Sequence, residues 1–185
     1  MADLTPVSRP PETNPNFRRG QLLLLLSMFE APLKTDRIGY LEFFAANPHL
    51  VIRSDLDAVR LELAGFNPDA LTYQSAPQRY TNRRSRLRSD LAALTAWGFA
   101  VPSLVEGRIA CALTPAGRKA ASRLTSLYAD AYRKSVDLVR PTLSRLSDSQ
   151  LTKRASEWLR IPEDARIDLL DLEPGQLSFD IKGSE

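Results

Sequence analysis

The sequence predicts a mainly helical fold that includes one short β-hairpin and continues into additional helices after it. Two observations lead to this fold class. Apolar residues recur at helical spacing in several segments, and most of these segments begin beside a residue that caps helices. Two short apolar runs, joined by Glu106 and Gly107, interrupt this periodicity and have the length and turn residues of a hairpin.

Three helices are predicted before the basic part of the chain. The first spans about 17–29, and its leucines are too dense for one narrow stripe, so we expect it to be covered on several sides. The second spans 36–46, with Thr35 or Asp36 as its cap. The third spans 55–64, with Ser54 as its cap and Gly65 at its C-terminal end.

A fourth helix precedes the hairpin. The sequence at 75–78, Ser-Ala-Pro-Gln, has the form of a capping box, and the helix is expected to stop at Trp97-Gly98. At 100° per residue one face is apolar. That face consists of Tyr80, Leu87, Leu91, Leu94 and Gly98.

The hairpin strands are predicted at 99–105 and 108–113, and further helices follow them. Thr114-Pro115 caps and opens a long helix to about residue 138, which Pro141 interrupts. A capping box at Ser147 starts a last helix through residue 159. The apolar piece 177–181 is left open as a short strand or a disordered segment.

This order of elements is that of a winged helix-turn-helix with a two-stranded wing and additional C-terminal helices. The passage from Asp90 to Gly117 resembles the one from recognition helix to wing to next helix in MarR-like and PadR-like regulators. The resemblance rests on Leu91, Leu94, Trp97-Gly98-Phe99 and the run Ala112-Leu-Thr-Pro-Ala-Gly-Arg118. Threonine caps the following helix there, and glycine lets that helix pack closely on the wing.

A second resemblance covers about residues 15–160. The runs 36–48 and 71–91, with the shorter pieces 127–135, 146–148 and 158–159, resemble the small middle component of bacterial ABC-three-component defence systems, which overlap the Lamassu anti-phage systems. This resemblance implies a non-catalytic subunit that accompanies an SMC-like ATPase and a nuclease-type effector. It implies no cofactor.

Three regions are expected from composition. Prolines among polar residues predict a flexible leader over 1–16, the winged-helix domain with its helical extension spans 17–160, and an acidic tail spans 161–185. From residue 163 onward there are seven acids and two bases, a net charge of −5.

The five leucines at 22–26 form an apolar run far shorter than the roughly 20 residues that cross a bilayer, and the first residues lack a secretion signal. With a single cysteine, the chain is expected to be cytoplasmic and to bind no membrane.

Basic residues concentrate on the fourth helix. Five arginines and no acid lie between residues 79 and 88, and the helical wheel places Arg83 and Arg84 beside the apolar face. Arg108 on the wing, with Arg18 and Arg19 near the start of the first helix, is expected to add phosphate contacts. The candidate residues for binding DNA or a partner protein are Arg79, Arg83, Arg84, Arg86, Arg88 and Arg108.

Three interpretations of this cluster remain open. The helix is suited to the major groove of double-stranded DNA, with guanidiniums on phosphates and guanine edges. It is equally suited to an acidic protein surface, and the acidic tail is a candidate to mask it. A solvated charged face needs no ligand, and Arg86 is in position to pair with Asp90 at i,i+4.

Catalytic and metal-binding chemistry is not expected. The one histidine, His49, stands alone beside Pro48 and is interpreted as a cap or surface residue. Cys111 falls in the second wing strand, where a small side chain is expected to pack in the core. No phosphate-binding glycine loop, nucleophile elbow or metal-ligand spacing occurs.

The helix after the wing has an apolar and aromatic side. At this spacing a core stripe or a subunit contact is expected rather than a cofactor site. The candidate subunit-contact residues are Leu124, Leu127, Tyr128 and Tyr132.

The sequence leaves two functions open. The first is an accessory subunit of an SMC-like ATPase defence complex, which the long loop at 65–75 also favours. The second is a dimeric winged-helix regulator that binds operator DNA.

Overall fold

The computed structural model describes residues 11–66 and 76–159. This part of the chain is mainly helical and carries a small antiparallel sheet. Its α-helices are α1 (Pro15–Ser27), α2 (Thr35–Ala46), α3 (Asp55–Leu63), α4 (Ala76–Ala96), α5 (Pro115–Ser122), α6 (Leu127–Ser144) and α7 (Asp148–Leu159). Its strands are β1 (Leu33–Lys34), β2 (Ala100–Val105) and β3 (Arg108–Leu113), and short 3₁₀ helices occupy Pro11–Thr13 and Pro48–Leu50.

Side-chain caps start three of the helices where the sequence predicts them. The predicted cap of α2 at Thr35 or Asp36 is wrong, because its N-cap position is Lys34 without a side-chain hydrogen bond and the Thr35 hydroxyl donates to the Ile109 carbonyl of β3 instead. The Ser54 hydroxyl accepts a hydrogen bond from the Asp57 amide, and the Thr114 hydroxyl accepts one from the Gly117 amide. Ser147 and Gln150 cap α7 reciprocally, each side chain accepting from the other's backbone amide. These caps satisfy amides that the first helical turn leaves without partners.

The hairpin is confirmed, but it belongs to a three-stranded sheet. Strand β1 pairs antiparallel with β3, Leu33 opposite Cys111, and gives the strand order β1-β3-β2. The expectation of a two-stranded arrangement is therefore corrected. A two-residue strand has no alternating pattern to reveal it, because its pairing depends on a segment more than seventy residues away.

Close packing of α5 on the sheet requires glycine at position 117. A Cβ atom on Gly117 would lie 2.0 Å from the carbonyl oxygen of Phe99, which is well inside van der Waals contact. The glycine predicted to let this helix approach the hairpin therefore has a steric reason to be there.

The core lies between α1, α2, α4 and α6. All five leucines at 22–26 are buried, as their density on α1 predicts. The four apolar residues of α4 predicted to share a face, Tyr80, Leu87, Leu91 and Leu94, are buried as well. From α6, Tyr132, Val136, Val139 and Leu143 contribute fully buried side chains.

The predicted long helix after the hairpin is two helices. Helix α5 ends at Ser122, and Ser126 begins α6 by accepting a hydrogen bond from the Ala129 amide. Pro141, expected to interrupt the helix, lies inside α6 on its exposed side, and the helix continues to Ser144. A proline inside a helix lacks the amide that would bond to the carbonyl four residues earlier, and on the exposed side of α6 that carbonyl can bond to solvent instead.

The predicted leader overlaps structured residues. Residues 11–13 form a 3₁₀ helix, and Asn14 caps α1 by accepting from the Asn16 amide, so the first helix begins two residues before the predicted boundary. Residues 1–10, the part of the predicted loop 65–75 that runs from 67 to 75 with the Ser75 cap, and the predicted acidic tail lie outside the described residues.

Candidate functional site

Arg83 is held inside the helical bundle. Its side chain is only 10% exposed, and its Nη2 atom lies 2.6 Å from Glu42 Oε1 and also donates to Gln21 Oε1. Burial disfavours the charge of Arg83, but Glu42 outweighs this and keeps the pKa of the guanidinium above its ordinary value. Of the candidate binding residues, Arg83 is thus committed to contacts within the chain.

Arg84 lies on the other side of the apolar face of α4 from Arg83. Its Nη2 atom lies 3.1 Å from Asp36 Oδ1, and its Nη1 donates to the Tyr80 hydroxyl. The guanidinium also lies over the rings of Tyr40 and Tyr80, at about the limit of a cation–π contact. These contacts join the start of α2 to the middle of α4.

The remaining candidate arginines are more exposed. Arg79 Nη2 lies 3.8 Å from Glu12 Oε1, and Arg108, 61% exposed, approaches Asp36 Oδ2 at 3.9 Å. Arg86 and Arg88 are exposed and make no hydrogen bond or ion pair with other residues in the described ranges. The structure therefore separates the cluster into inward-facing and outward-facing members.

Arg18 and Arg19, predicted as additional phosphate contacts, converge on a buried carboxylate. Asp90 is 2% exposed, and its oxygens lie 2.6 Å from Arg18 Nε and 3.3 Å from Arg19 Nε. Arg19 also stacks over Trp97 at 4.8 Å. The pair considered from the sequence, Arg86 with Asp90, does not form, because Asp90 points from α4 towards α1.

A chain of polar contacts, buried at Glu42 and partly buried at Tyr128, links four helices. Glu42 of α2 pairs with Arg83 of α4, which donates to Gln21 of α1, and Gln21 Nε2 donates to the Tyr128 hydroxyl on α6. Burial is the main cause that raises the pKa of Tyr128 to about 12. The sequence analysis missed this network, although Glu42 is a charge within the apolar run 40–45 and is a signal for it.

The predicted subunit-contact residues divide in the same way. Tyr132 is fully buried within the chain, and Leu124 packs partly buried against the core. Leu127 is 92% exposed and Tyr128 38% exposed, side by side at the start of α6. Leu127 therefore remains available to another molecule, whereas the Tyr128 hydroxyl is engaged by Gln21 and Tyr132 serves the core.

Further apolar side chains reach the surface in two places. On α3, Leu56, Val59 and Leu63 recur at helical spacing and are all more than half exposed. At the tip of the hairpin, Leu104 and Ile109 lie opposite one another, 74% and 64% exposed. We call these the α3 stripe and the hairpin-tip pair. Grouped apolar side chains of this kind are typical of protein-binding surfaces.

The structure offers little reactive chemistry among the described residues. His49 Nε2 lies 3.0 Å from the Phe66 carbonyl oxygen, an arrangement suited to fixing the loop after α3. Cys111 is buried as predicted, and burial raises the pKa of its thiol. The described ranges contain no group of three potential metal-ligating side chains and no helix long and apolar enough to cross a membrane.

Neither a protein-family model, nor a curated protein, nor a solved structure matches this chain. The case for a function therefore rests on the residues and contacts described above.

Proposed function

We propose that the chain is a non-catalytic winged-helix subunit whose task is to hold other proteins, and that its main partner is an SMC-like ATPase of an ABC-three-component defence complex. The ATPase and a nuclease-type effector are the partners that the sequence resemblance implies. The subunit works inside the cell by bridging them.

Topology supports the winged-helix part of the proposal. Helix, strand, two helices, the basic helix and a hairpin follow one another, and the early strand β1 joins β3 at the edge of the sheet. This order corresponds to a helix-turn-helix unit with a three-stranded wing. Helix α3 and the connection after it separate α2 and α4, the two helices that would flank the turn.

The observation that carries the protein-binding role is the distribution of charge and apolar surface. Arg83 and Arg84 are bound to acids of α2, so the basic helix offers fewer free guanidiniums than its sequence suggests. The α3 stripe, the hairpin-tip pair and Leu127 instead expose large apolar side chains at three separate places. Three such places suit a subunit that contacts more than one protein surface.

A dimeric operator-binding regulator is the second candidate. The outer face of α4 favours it, because Gln78, Asn82, Ser85 and Ser89 are all exposed at helical spacing, and these side chains can bond to base edges. Arg86 and Arg88 flank that face and Arg108 lies on the wing, which would supply phosphate contacts.

Co-expression with an SMC-like ATPase encoded beside the chain tests the first proposal. A complex that stays together in gel filtration is expected, and Leu63→Asp, Leu104→Asp and Leu127→Asp identify which apolar surface holds it. Arg88→Glu is the matched control, since it changes an exposed charge and leaves all three surfaces intact. Elution of the chain alone as a well-behaved dimer contradicts the proposal.

A mobility-shift titration separates the second candidate from the first. An operator-binding regulator prefers particular sequences, and its affinity falls steeply with salt. Substituting Arg86 and Arg88 together by glutamate would then weaken binding. Equal affinity for unrelated duplexes at physiological salt counts against the regulator.

A further inference from the structure

The apolar tip of the hairpin lies beside an excess of positive charge. Leu104 and Ile109 are largely exposed, and Arg108, the residue before Ile109, is exposed as well. Arg108 Nη1 lies 3.9 Å from Asp36 Oδ2, and the other oxygen of Asp36 lies 3.1 Å from Arg84 Nη2. One carboxylate therefore faces two guanidiniums, which leaves one positive charge in excess. We call Leu104, Ile109 and Arg108 the tip surface.

The remaining charges around the hairpin turn balance one another. Lys34 donates to Glu106 in the turn and to Asp148 of α7, and Arg37 donates to Asp148 as well. Two cations and two carboxylates form this network, so it does not cancel the excess at the tip surface. Because complementary charge selects partners, the tip surface suits a ligand that combines apolar side chains with negative charge.

One segment of this chain combines these two properties. Residues 163–173 contain five acids and one base, a net charge of −4. In the run 167–173, Ile-Asp-Leu-Leu-Asp-Leu-Glu, four large apolar residues are interleaved with three acids. The segment lies outside the described residues, and its composition matches the tip surface in both charge and apolar character.

Helix α7 brings this segment within reach of the hairpin. Its first residue, Asp148, lies beside the turn through Lys34, and its twelve residues place its end about 18 Å farther along. An extended chain covers about 3.3 Å per residue, so Leu169, ten residues after Leu159, can lie up to about 33 Å from the end of α7. The run 167–173 is therefore long enough to return to the tip surface.

The α3 stripe does not offer the same match. Helix α3 has a net charge of −2, because it contains three acids and one base, Asp55, Asp57, Glu62 and Arg60. Like charges that face one another across an interface disfavour contact, so the acidic segment is repelled there and attracted at the tip surface.

We propose that residues 163–173 bind the tip surface of the same chain. The apolar residues of the segment pack on Leu104 and Ile109, and its acids approach Arg108. Bound there, the segment covers the hairpin tip, so any partner of that surface must displace it. The contact lies within the chain and is tested without an ATPase, so its outcome does not depend on the subunit role proposed above.

Paramagnetic relaxation in the full chain tests this contact. A nitroxide attached at Gln176→Cys, just after the segment, broadens the amide signals of residues that it approaches, and Cys111 is buried, which keeps its thiol from the reagent. In ¹H–¹⁵N spectra the amides of the tip surface are expected to lose intensity relative to the chain with reduced nitroxide. Undiminished signals at the tip surface overturn the proposal.

A mixing experiment shows whether the contact lies within one chain. ¹⁵N-labelled chain without nitroxide is mixed with spin-labelled chain that lacks ¹⁵N, so that any loss of intensity arises between copies. No loss at the tip surface is expected. A loss as large as in the chain that carries both labels would show that the segment binds a second copy, and it contradicts the proposal.

Matched variants separate the tip surface from charge and apolar surface elsewhere. Arg108→Glu reverses the charge and Leu104→Asp removes the apolar contact, and each is expected to abolish the loss of intensity at Ile109. Arg123→Glu, at an exposed position after α5, and Leu63→Asp on the α3 stripe make the same changes away from the tip and should preserve that loss. Equal effects of a tip variant and its control contradict the site. The dispersion of the remaining amide signals verifies folding of each variant.

Discussion

Arg83 and Arg88 lie on the same helix and have the same chemistry, yet they occupy opposite environments. Arg83 is 10% exposed and bonded to Glu42 and Gln21, whereas Arg88 is exposed without a partner in the described chain. The difference arises from helical phase and from the acid that α2 presents to one side. A run of arginines in a sequence therefore does not define a binding surface by itself, because some of its members hold the fold together.

The largest effect is expected when the partner of the buried arginine is removed. Glu42→Met leaves the Arg83 guanidinium in the interior without its carboxylate, and an uncompensated buried charge costs about 3–5 kcal/mol in the free energy of unfolding. Urea denaturation followed by circular dichroism measures the loss. A change below about 1 kcal/mol would show that Arg83 finds another partner or reaches solvent.

Removing both charges sharpens the same comparison. The double variant Glu42→Met, Arg83→Met replaces the buried pair by apolar side chains of similar size, and such replacements are often neutral or stabilising. We expect it to recover most of the stability that Glu42→Met loses. A double-mutant cycle completed with Arg83→Met gives the coupling energy, and additive effects would contradict a direct pairing.

Asp90 provides an intermediate case. Asp90→Asn removes the carboxylate between Arg18 and Arg19, and we expect a loss of about 1.5–3 kcal/mol, the range for hydrogen bonds to charged groups. The loss is smaller than at Glu42 because Arg18 also donates to the Glu12 and Thr13 carbonyls and Arg19 stacks on Trp97. Thermal and urea denaturation measure this loss. A loss as large as that of Glu42→Met would contradict the expectation that the other contacts of Arg18 and Arg19 compensate.

Much of this organisation is predictable because it depends on short-range patterns. Caps at Ser54, Thr114 and Ser147 bond within their own helical turns, and the apolar face of α4 follows from spacing alone. The hairpin is likewise predictable from its turn, where Glu106 and Gly107 both have positive φ.

Long-range partners are what the sequence leaves undetermined. Arg83 and Glu42 are 41 positions apart, and nothing in either local pattern selects one for the other. Strand β1 depends in the same way on the distant strand with which it pairs. Spacing placed Arg83 beside the apolar face, but it required the fold to show that Glu42 and Gln21 draw this arginine inward.

The ion pairs of Asp148 at the surface are expected to contribute little to stability at neutral pH, and this contribution should depend on pH. Asp148 is bonded to Lys34 and Arg37, and the hydrogen bond from Lys34 is the main cause that lowers the pKa of this carboxyl. Because folding lowers the pKa, the contribution is complete above the unfolded pKa of about 4 and is lost as pH falls through the folded value. Because ion pairs at the surface contribute little to stability, Asp148→Asn should lower Tm by no more than about 4 °C at pH 7.

The Tm values of the wild-type chain and Asp148→Asn should become more similar at acidic pH. At pH 3 the difference in Tm between the wild-type chain and Asp148→Asn is expected to shrink, since pH 3 lies below the unfolded pKa of about 4 and the contribution of the ion pairs declines from there towards the lowered folded pKa. Differential scanning calorimetry at the two pH values measures this. A difference that stays constant would mean that the amide change acts through the start of α7 rather than through the ion pairs.

The smallest effect on stability is expected at Arg88, the exposed arginine of the two compared above. Arg88→Glu reverses a charge that has no partner among the described residues, and substitutions at such surface positions usually stay within about 0.5 kcal/mol. Urea denaturation beside Glu42→Met provides the measurement. A loss as large as that of Glu42→Met would place Arg88 against an acid from outside the described ranges, and the distinction between inward-facing and outward-facing arginines on α4 would then have to be redrawn.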